Sequence, residues 1–74
     1  MFKILTKPNC VHCTAAKQAM NFKSIPYEEE LFQTENDYAR FKELGYRTFP
    51  QVFDDNGNHI GGNMELQNWL IENK

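Results

Sequence analysis

Hydrophobic and polar residues follow two different periods along the first part of the chain. Residues 2–6 form a short, β-favouring apolar run, which ends at a break that contains a proline. After this break, at about residues 10–21, Cys13, Ala16 and Met20 recur at the spacing of one helix face. The pattern predicts a strand followed by a helix.

A second extended stretch covers residues 25–31. Pro26 stands near its start, where the missing backbone N–H of proline does least harm to a strand. A strand, a helix and a second strand normally form a right-handed unit with parallel strands. We therefore expect this stretch to lie parallel to the first strand.

Capping residues delimit a second helix. Thr34 is a suitable N-cap for the segment that follows it, and Gly45 stands where a glycine commonly ends a helix. Between them, Tyr38, Phe41 and Leu44 share one face. The sequence therefore predicts a helix that begins after Thr34 and ends before Gly45.

The last third of the chain has the pattern of a hairpin and a final helix. Residues 50–53 and 59–60 flank a polar segment with an Asn-Gly pair at 56–57, which accepts the positive φ angles of hairpin turns. The residues that then recur at helical spacing are Leu66, Trp69 and Leu70. The element order is β-α-β-α-β-β-α, and 74 residues predict a single α/β domain over 1–74.

Charge and hydropathy argue against two classes of partner. The formal net charge is −2 and the lysines and arginines are scattered, whereas nucleic-acid binding requires a basic patch. No apolar run approaches the roughly 20 residues of a membrane-spanning helix, and residues 1–3 lead into a strand rather than a signal peptide. We expect a cytoplasmic monomer with no nucleic-acid partner and no membrane partner.

The motif Cys10-Val11-His12-Cys13 stands at the start of the first predicted helix. Two thiols at this spacing can close a disulfide, and the free N–H groups and dipole of the helix start stabilise a thiolate. The chain has only these two cysteines, which is typical of a transient disulfide in a reducing compartment. The motif predicts a redox dithiol in which Cys10, assisted by Lys7, attacks and Cys13 resolves.

Three other interpretations of this motif stay open. A zinc site would need two further ligands, and His12 and His59 are the only histidines of the chain. A purely structural disulfide would close so small a loop that it removes little entropy from the unfolded chain. His12 is either a solvent-facing residue or a histidinium that favours the Cys10 thiolate. We expect no bound metal.

Three motifs occur in an order that carries a family resemblance: Lys7-Pro8-Asn9-Cys10-Val11-His12-Cys13, Gly45-Tyr46-Arg47-Thr48-Phe49-Pro50 and His59-Ile60-Gly61-Gly62. Together, at this chain length, they resemble the glutaredoxins, small members of the thioredoxin-fold superfamily, and in particular their short phage and bacterial forms. The resemblance implies a thioredoxin-like fold, in which a four-stranded mixed sheet is flanked by three helices. It also implies a cis peptide bond before Pro50.

The resemblance further implies a thiol–disulfide oxidoreductase that uses glutathione as reductant and binds no cofactor. In the family, the main chain before the cis-proline, here that of Phe49, pairs with the cysteine of glutathione. Lys7 and Arg47 match positions that meet the glycine carboxylate of glutathione; otherwise they are solvated surface charges. The substrate-binding positions implied in this way are Lys7, Val11, His12, Arg47, Thr48, Phe49, Pro50, Gly61, Gly62 and Asn63.

Two positions depart from the family pattern. Met64 stands where the family commonly has Asp, Ser or Thr, which caps the last helix and holds the γ-glutamyl group. We expect Asn63 to supply the cap instead, or glutathione to bind weakly. Tyr46 stands where some members have Gln, and an aromatic residue at this rim favours a larger partner.

Two alternatives retain the reactive cysteines but assign the protein a different role. A redoxin that is reduced by thioredoxin reductase and serves ribonucleotide reductase shares the short chain, but it normally lacks the Gly61-Gly62 pair. An iron–sulfur module would hold a cluster between two subunits through Cys10 and glutathione, although Val11-His12 is less typical of such proteins. The expected protein partners contain disulfides, and ribonucleotide reductase is a candidate.

Overall fold

The computed structural model describes residues 1–73, and its elements follow the predicted order. The strands are β1 (Phe2–Thr6), β2 (Tyr27–Leu31), β3 (Gln51–Phe53) and β4 (His59–Gly61); the helices are α1 (Val11–Phe22), α2 (Glu35–Glu43) and α3 (Asn63–Glu72). Within residues 1–73, no helix combines the length and the apolar character needed to cross a membrane.

The four strands form one mixed sheet in the order β2-β1-β3-β4. β1 runs parallel to β2 with α1 between them in the chain, which is the β-α-β unit expected from the sequence. β3 runs antiparallel to both β1 and β4. The predicted four-stranded mixed sheet with three helices is confirmed, and β1 occupies a central position next to β3.

Alternation along β1 sends its side chains into two separate cores. On one face, under α1 and α3, the buried residues are Phe2, Ile4, Ala16, Met20, Val52, Leu66 and Leu70. On the other face, under α2, the buried residues are Leu5, Phe32 and Phe41. The face beneath α2 therefore has the smaller and more aromatic core.

Some strand boundaries differ from the prediction because of proline. The second strand, predicted over residues 25–31, begins at Tyr27. The Ile25 N–H donates to the Met20 carbonyl at 2.9 Å, behind α1, and Pro26 has no N–H to offer to a neighbouring strand. The third strand likewise begins one residue later than predicted, after a proline.

Capping chemistry sets both ends of α2 as predicted. The Thr34 hydroxyl accepts the Asp37 N–H at 3.1 Å in a capping box. At the other end Gly45 has φ +94°, and the N–H groups of Gly45 and Tyr46 donate to carbonyls of the last turn in a Schellman motif. This motif directs Tyr46 back against Phe41, with ring centres 5.5 Å apart.

The predicted hairpin joins β3 to β4. Asp54 accepts the N–H groups of Asn58 and Asn56, both at 2.9 Å, and these bonds, the Asn58 bond foremost, hold the pKa of the Asp54 carboxyl below its usual range. Gly57 supplies the positive φ of the turn at +81°. The register then places Gly61 opposite Val52, so the hairpin brings the Gly-Gly segment back beside β3.

Candidate functional site

The turn after β1 places Cys10 at the N-cap of α1. Asn9 has φ +56°, a left-handed conformation that asparagine adopts in turns, and Cys10 is extended at φ −113° and ψ 108°. The Cys13 N–H donates to Cys10 Sγ at 3.2 Å, so the sulfur takes the place of an ordinary capping oxygen. The sulfur therefore lies at the positive end of the helix dipole, with a backbone N–H directed at it.

Cys13 lies one turn into α1 on its buried face. Its side chain is 2% exposed, whereas Cys10 is partly exposed. Burial raises the pKa of the Cys13 thiol to about 12, and the hydrogen bond to Cys10 acts in the same direction. Cys13 is therefore a neutral thiol near pH 7, and Cys10 is the sulfur that a disulfide in solution can reach.

A charged network lies behind the buried thiol. Lys17, one helical turn after Cys13, binds Glu29 at 2.9 Å, and the buried Thr6 hydroxyl donates to the same carboxylate at 2.6 Å. The Thr6 and Lys17 hydrogen bonds hold the pKa of Glu29 below its usual value, and the Lys17 charge opposes part of the rise in the pKa of Cys13. None of these residues was a predicted site residue; the i, i+4 spacing of Lys17 from Cys13 is the one sequence signal for them.

The loop before β3 has the predicted backbone geometry. The peptide bond between Phe49 and Pro50 is cis, and Pro50 is buried. Gln51, 6% exposed, donates its amide to the Thr48 carbonyl at 2.8 Å and to the Thr48 hydroxyl at 3.2 Å. Gln51 thus braces this loop from the inside. It was not predicted as a site residue, although an amide at the start of an apolar strand is a detectable signal.

His59 belongs to the hairpin and not to the cysteine motif. Its ring centre lies 5.2 Å from that of Tyr46 and 5.0 Å from that of Phe53, and Nε2 contacts the Gln51 amide oxygen. A zinc site that used both histidines would have to break these contacts. In the part of the chain that the structure describes, no group of three or more His, Cys, Asp or Glu side chains is arranged to hold a metal ion.

Val11 and His12 form the start of α1 and are exposed, Val11 to 80%. These two predicted positions therefore lie on the surface around Cys10. They are available to a partner and contribute nothing to either buried core.

An open cleft of about 940 Å³ lies between α2, the loop before Pro50 and the turn after β1. Its floor is Phe41 stacked on Phe49, with ring centres 3.9 Å apart and planes 9° apart, and Tyr38 meets Phe49 edge-on at 6.2 Å. We call this the aromatic cleft. It is lined by Lys7, Tyr38, Phe41, Lys42, Gly45, Tyr46, Arg47 and Phe49.

The aromatic cleft brings together three of the predicted substrate-binding positions. Lys7, Arg47 and Phe49 all line it, and Lys7 Nζ lies 5.8 Å from the ring centre of Phe49. Lys7 also borders the depression around Cys10 and Cys13. It therefore connects the cysteine motif to the cleft. The Phe49 ring is part of the floor, whereas the family resemblance had implied a role mainly for its main chain.

The Gly61-Gly62 segment lies against the same loop, but the predicted cap from Asn63 was wrong. Gly62 is the N-cap of α3, and the Glu65 carboxylate accepts the Gly62 N–H at 2.7 Å. Asn63 is the first helical residue, and its side-chain oxygen accepts from Gln67 at 3.3 Å. The Glu65 carboxylate makes a cap from Asn63 unnecessary. A Cβ on Gly62 would lie 3.5 Å from the Pro50 carbonyl, so the two loops are in contact.

Glu65 also changes the electrostatics at the start of α3. Its carboxylate lies at the helix start, to which the family resemblance assigned the γ-glutamyl group of glutathione, and it occupies the N–H of Gly62. Met64 is 74% exposed beside it and offers no charged or strong hydrogen-bonding group. An anionic ligand at this end would therefore meet a like charge.

The comparison with known families and curated proteins gives a consistent result. The glutaredoxin family model matches residues 2–60. Glutaredoxin 1 of Rickettsia prowazekii is 38% identical over 69 residues, which are 88% of this chain and 72% of that protein. The hybrid peroxiredoxin hyPrx5 of Haemophilus influenzae is 36% identical over 68 residues, or 90% of this chain. The chain spans only 28% of the length of that second relative.

Solved structures show the same similarity in three dimensions. Glutaredoxin 1 from Francisella tularensis, crystallised with cacodylate, superposes with a TM-score of 0.84 at 30% identity, over 99% of this chain and 96% of that one. A buckwheat glutaredoxin–glutathione complex superposes with a TM-score of 0.80 at 24% identity, over 96% of this chain and 68% of that one. The second similarity concerns the fold alone.

Proposed function

Since the chain belongs to the glutaredoxin family, whose members are thiol–disulfide oxidoreductases, we propose that it reduces protein disulfides through Cys10 and Cys13, with glutathione as reductant. The contrast between the two thiols carries this proposal. Cys10 is a partly exposed N-cap that accepts an N–H, and Cys13 is a buried neutral thiol. Dithiol exchange requires this difference between the two thiols, because the exposed sulfur attacks the substrate and the buried sulfur reacts only in the second step.

The reaction begins when the Cys10 thiolate attacks one sulfur of a substrate disulfide. An S–S bond forms between Cys10 and the substrate, and the other substrate sulfur leaves as a thiolate that takes up a proton. Cys13 then attacks Cys10 Sγ, and its proton passes to the remaining substrate sulfur. The substrate leaves with two thiols and the protein keeps a Cys10–Cys13 disulfide. Two glutathione molecules reduce that disulfide and leave as glutathione disulfide.

The raised pKa of Cys13 affects the second step. Because Cys13 is protonated near pH 7, it is a poor nucleophile until its proton leaves. The mixed disulfide on Cys10 therefore persists long enough for glutathione to compete with Cys13. We propose that both routes operate, and that protein disulfides depend on Cys13 more than glutathione mixed disulfides do.

The proposed glutathione site has one favourable end and one unfavourable end. Lys7 and Arg47 offer positive charge to the glycine carboxylate, and the main chain of Phe49 offers hydrogen bonds to the cysteine. At the start of α3, Glu65 repels the γ-glutamyl carboxylate and already occupies the Gly62 N–H. We propose that these two effects outweigh its attraction for the ammonium group on the same carbon. Membership of the glutaredoxin family supports glutathione as the ligand. We propose that glutathione binds, and more weakly than it would without Glu65.

A coupled assay that follows NADPH tests the function. The oxidised protein receives either glutathione with glutathione reductase or thioredoxin reductase alone. We expect NADPH consumption with the glutathione system, no activity for Cys10→Ser, and for Cys13→Ser activity on glutathione mixed disulfides only. Reduction by thioredoxin reductase but not by the glutathione system would contradict glutathione as the reductant. Full activity of Cys10→Ser would contradict the assigned nucleophile.

Partner and compartment follow from the same chemistry. We propose disulfide-containing proteins as substrates, with ribonucleotide reductase as a candidate, and the cytoplasm as the compartment, because a cycling dithiol requires reducing surroundings. Oxidised ribonucleotide reductase, supplied as the sole substrate in the coupled assay, tests this candidate. NADPH consumption at the background rate would contradict it.

A further inference from the structure

The cations of this chain fall into two groups. Three of them form salt bridges with glutamates of β2, at N–O distances between 2.7 and 3.3 Å: Lys3, Lys17 and Arg40. Within residues 1–73, four other lysine and arginine side chains make no salt bridge to a described carboxylate: Lys7, Lys23, Lys42 and Arg47. Three of these four line the aromatic cleft.

The aromatic cleft is therefore a positive region of an acidic chain. None of the residues that line it is Asp or Glu, although the chain as a whole has a formal net charge of −2. A cleft lined by charges of one sign concentrates the electrostatic field and attracts ligands of the opposite sign. Its preferred ligand should carry several negative charges.

The local structure holds these cations around an apolar surface. Lys42 is in the last turn of α2, and the Schellman motif at Gly45 turns the chain so that Arg47 lines the same cleft. Lys7 lies on the other side, over the Phe49 ring. The stacked rings of Phe41 and Phe49 form the floor between them. A cationic rim over an aromatic floor suits a peptide, whose apolar side chains cover the rings while its carboxylates meet the rim.

We propose that the aromatic cleft binds an acidic polypeptide segment beside the disulfide of a protein substrate. This inference rests on the proposed function and adds a substrate class to it. Lys7 borders both the cleft and the depression around Cys10, so a segment in the cleft brings a neighbouring disulfide to Cys10. The cleft, at about 940 Å³, lies near the upper end of the roughly 300–1,000 Å³ range of ligand pockets. Three cations are too few to hold a nucleic acid against a net negative chain.

Two synthetic peptides with the same intramolecular disulfide test the proposal. One carries a flank of glutamates and the other a flank of glutamines. For the wild-type chain we expect kcat/KM to be about fivefold higher for the acidic peptide at low salt, as for a few exposed ion pairs, and the ratio to fall towards one at high salt. Equal values for the two peptides would overturn the proposal, because the cleft would then serve glutathione alone.

Two matched variants locate the effect. Lys42→Glu should bring the ratio of the two peptides to one or below. Lys23→Glu is the control, because Lys23 also makes no salt bridge to a described carboxylate and also stands at a helix C-terminus, but lies outside the cleft. It should keep the wild-type ratio. A wild-type ratio in Lys42→Glu would overturn the proposal, because the preference would then arise elsewhere.

A binding measurement separates this inference from the proposed function. The same peptides are titrated into the Cys10→Ser protein while the amide NMR signals of Tyr46 and Arg47 are followed. Tighter binding of the acidic peptide with shifts at these amides supports the cleft, even where the wild-type chain reduces neither peptide and the proposed function fails. Equal affinities, or shifts confined to other surfaces, would overturn the cleft proposal while the proposed function stands.

Discussion

Cys10 and Cys13 carry the same side chain and differ only in their surroundings. The N-cap position gives Cys10 a hydrogen bond from a backbone N–H, and burial on the helix face that also carries Ala16 and Met20 keeps Cys13 protonated. The positions of the two thiols in the helix, which the sequence indicates, allowed their roles to be predicted. The bonds from Thr6 and Lys17 to Glu29 join three distant parts of the chain, so the sequence indicated the position of Lys17 but not the network.

The Cys13 thiol should make stability depend on alkaline pH. Its folded pKa of about 12 lies above the ordinary value of 9.0, so folding favours the protonated thiol. This stabilisation is complete below pH 9.0 and is lost as the pH rises towards 12, because the unfolded chain releases the proton first. Urea unfolding of the reduced wild-type and Cys13→Ser proteins measures the effect, and the stability difference between them should shrink above pH 9.0. A difference that does not change with pH would contradict this prediction.

At the scale of elements, the first turn of α3 carries its own negative charge, the carboxylate of Glu65. The sequence pattern predicted the helix, but the choice between Asn63 and Glu65 as partner of the N-cap depends on side-chain geometry that periodicity does not contain. Glu65 reaches back to the Gly62 N–H and satisfies it at 2.7 Å. The helix start is therefore stabilised by a charge that also disfavours an anionic ligand.

Glu65→Gln should improve the binding of glutathione. The amide oxygen can still accept the Gly62 N–H, but the negative charge beside the proposed γ-glutamyl site is removed. We expect a lower KM for glutathione in the coupled assay and a loss of stability of about 0.5 kcal/mol from the helix dipole. Glu72→Gln, at the other end of α3, is the matched control and should leave KM unchanged. An unchanged KM for glutathione in Glu65→Gln would contradict the prediction that Glu65 weakens glutathione binding.

Two glycines with positive φ should respond differently to alanine. Gly45 has φ +94° with open space around the position of a Cβ, so Gly45→Ala should cost about 1–2 kcal/mol from backbone strain alone. Gly61 has φ +126°, and a Cβ there would lie 2.8 Å from Cβ and Cγ of Glu65. Gly61→Ala should therefore cost more, because Glu65 must also move. Urea unfolding compares the two variants, and equal losses would show that Glu65 moves without cost.

On the scale of the whole molecule, the two cores differ in their relation to the aromatic cleft. The core under α2 contributes the floor of the cleft, whereas no residue of the core under α1 and α3 lines it. Hydrophobic periodicity, capping residues and turn signals predicted the helices and strands, because each of these elements depends on neighbouring residues. It did not predict the stacking of Phe41 on Phe49, which requires the chain to reverse at Gly45 and pass beneath α2. The Gln51 contact with Thr48 likewise depends on the loop that Pro50 completes. The aromatic cleft could therefore not be predicted from the sequence.

We therefore predict that a substitution in the core under α2 changes both stability and substrate binding, whereas a substitution in the core under α1 and α3 changes stability alone. Phe41→Leu should lower stability by about 1–2 kcal/mol and raise the KM for disulfide peptides, because it removes half of the ring stack in the cleft floor. Met20→Leu, in the core under α1 and α3, should lower stability by less than about 1.5 kcal/mol and leave KM unchanged. Urea unfolding and peptide kinetics measure both effects. An equal rise in KM for the two variants would contradict this prediction.

The outer position of β2 has a consequence for encounters between copies of the chain. β2 is an edge of the sheet, and its three consecutive glutamates, Glu28, Glu29 and Glu30, run along that edge. Glu29 and Glu30 are held in salt bridges, so a second copy that paired with this strand would disturb these bridges and meet the Glu28 carboxylate. Both effects disfavour extension of the sheet into a polymer. The acidic edge therefore disfavours strand pairing between two copies of the chain.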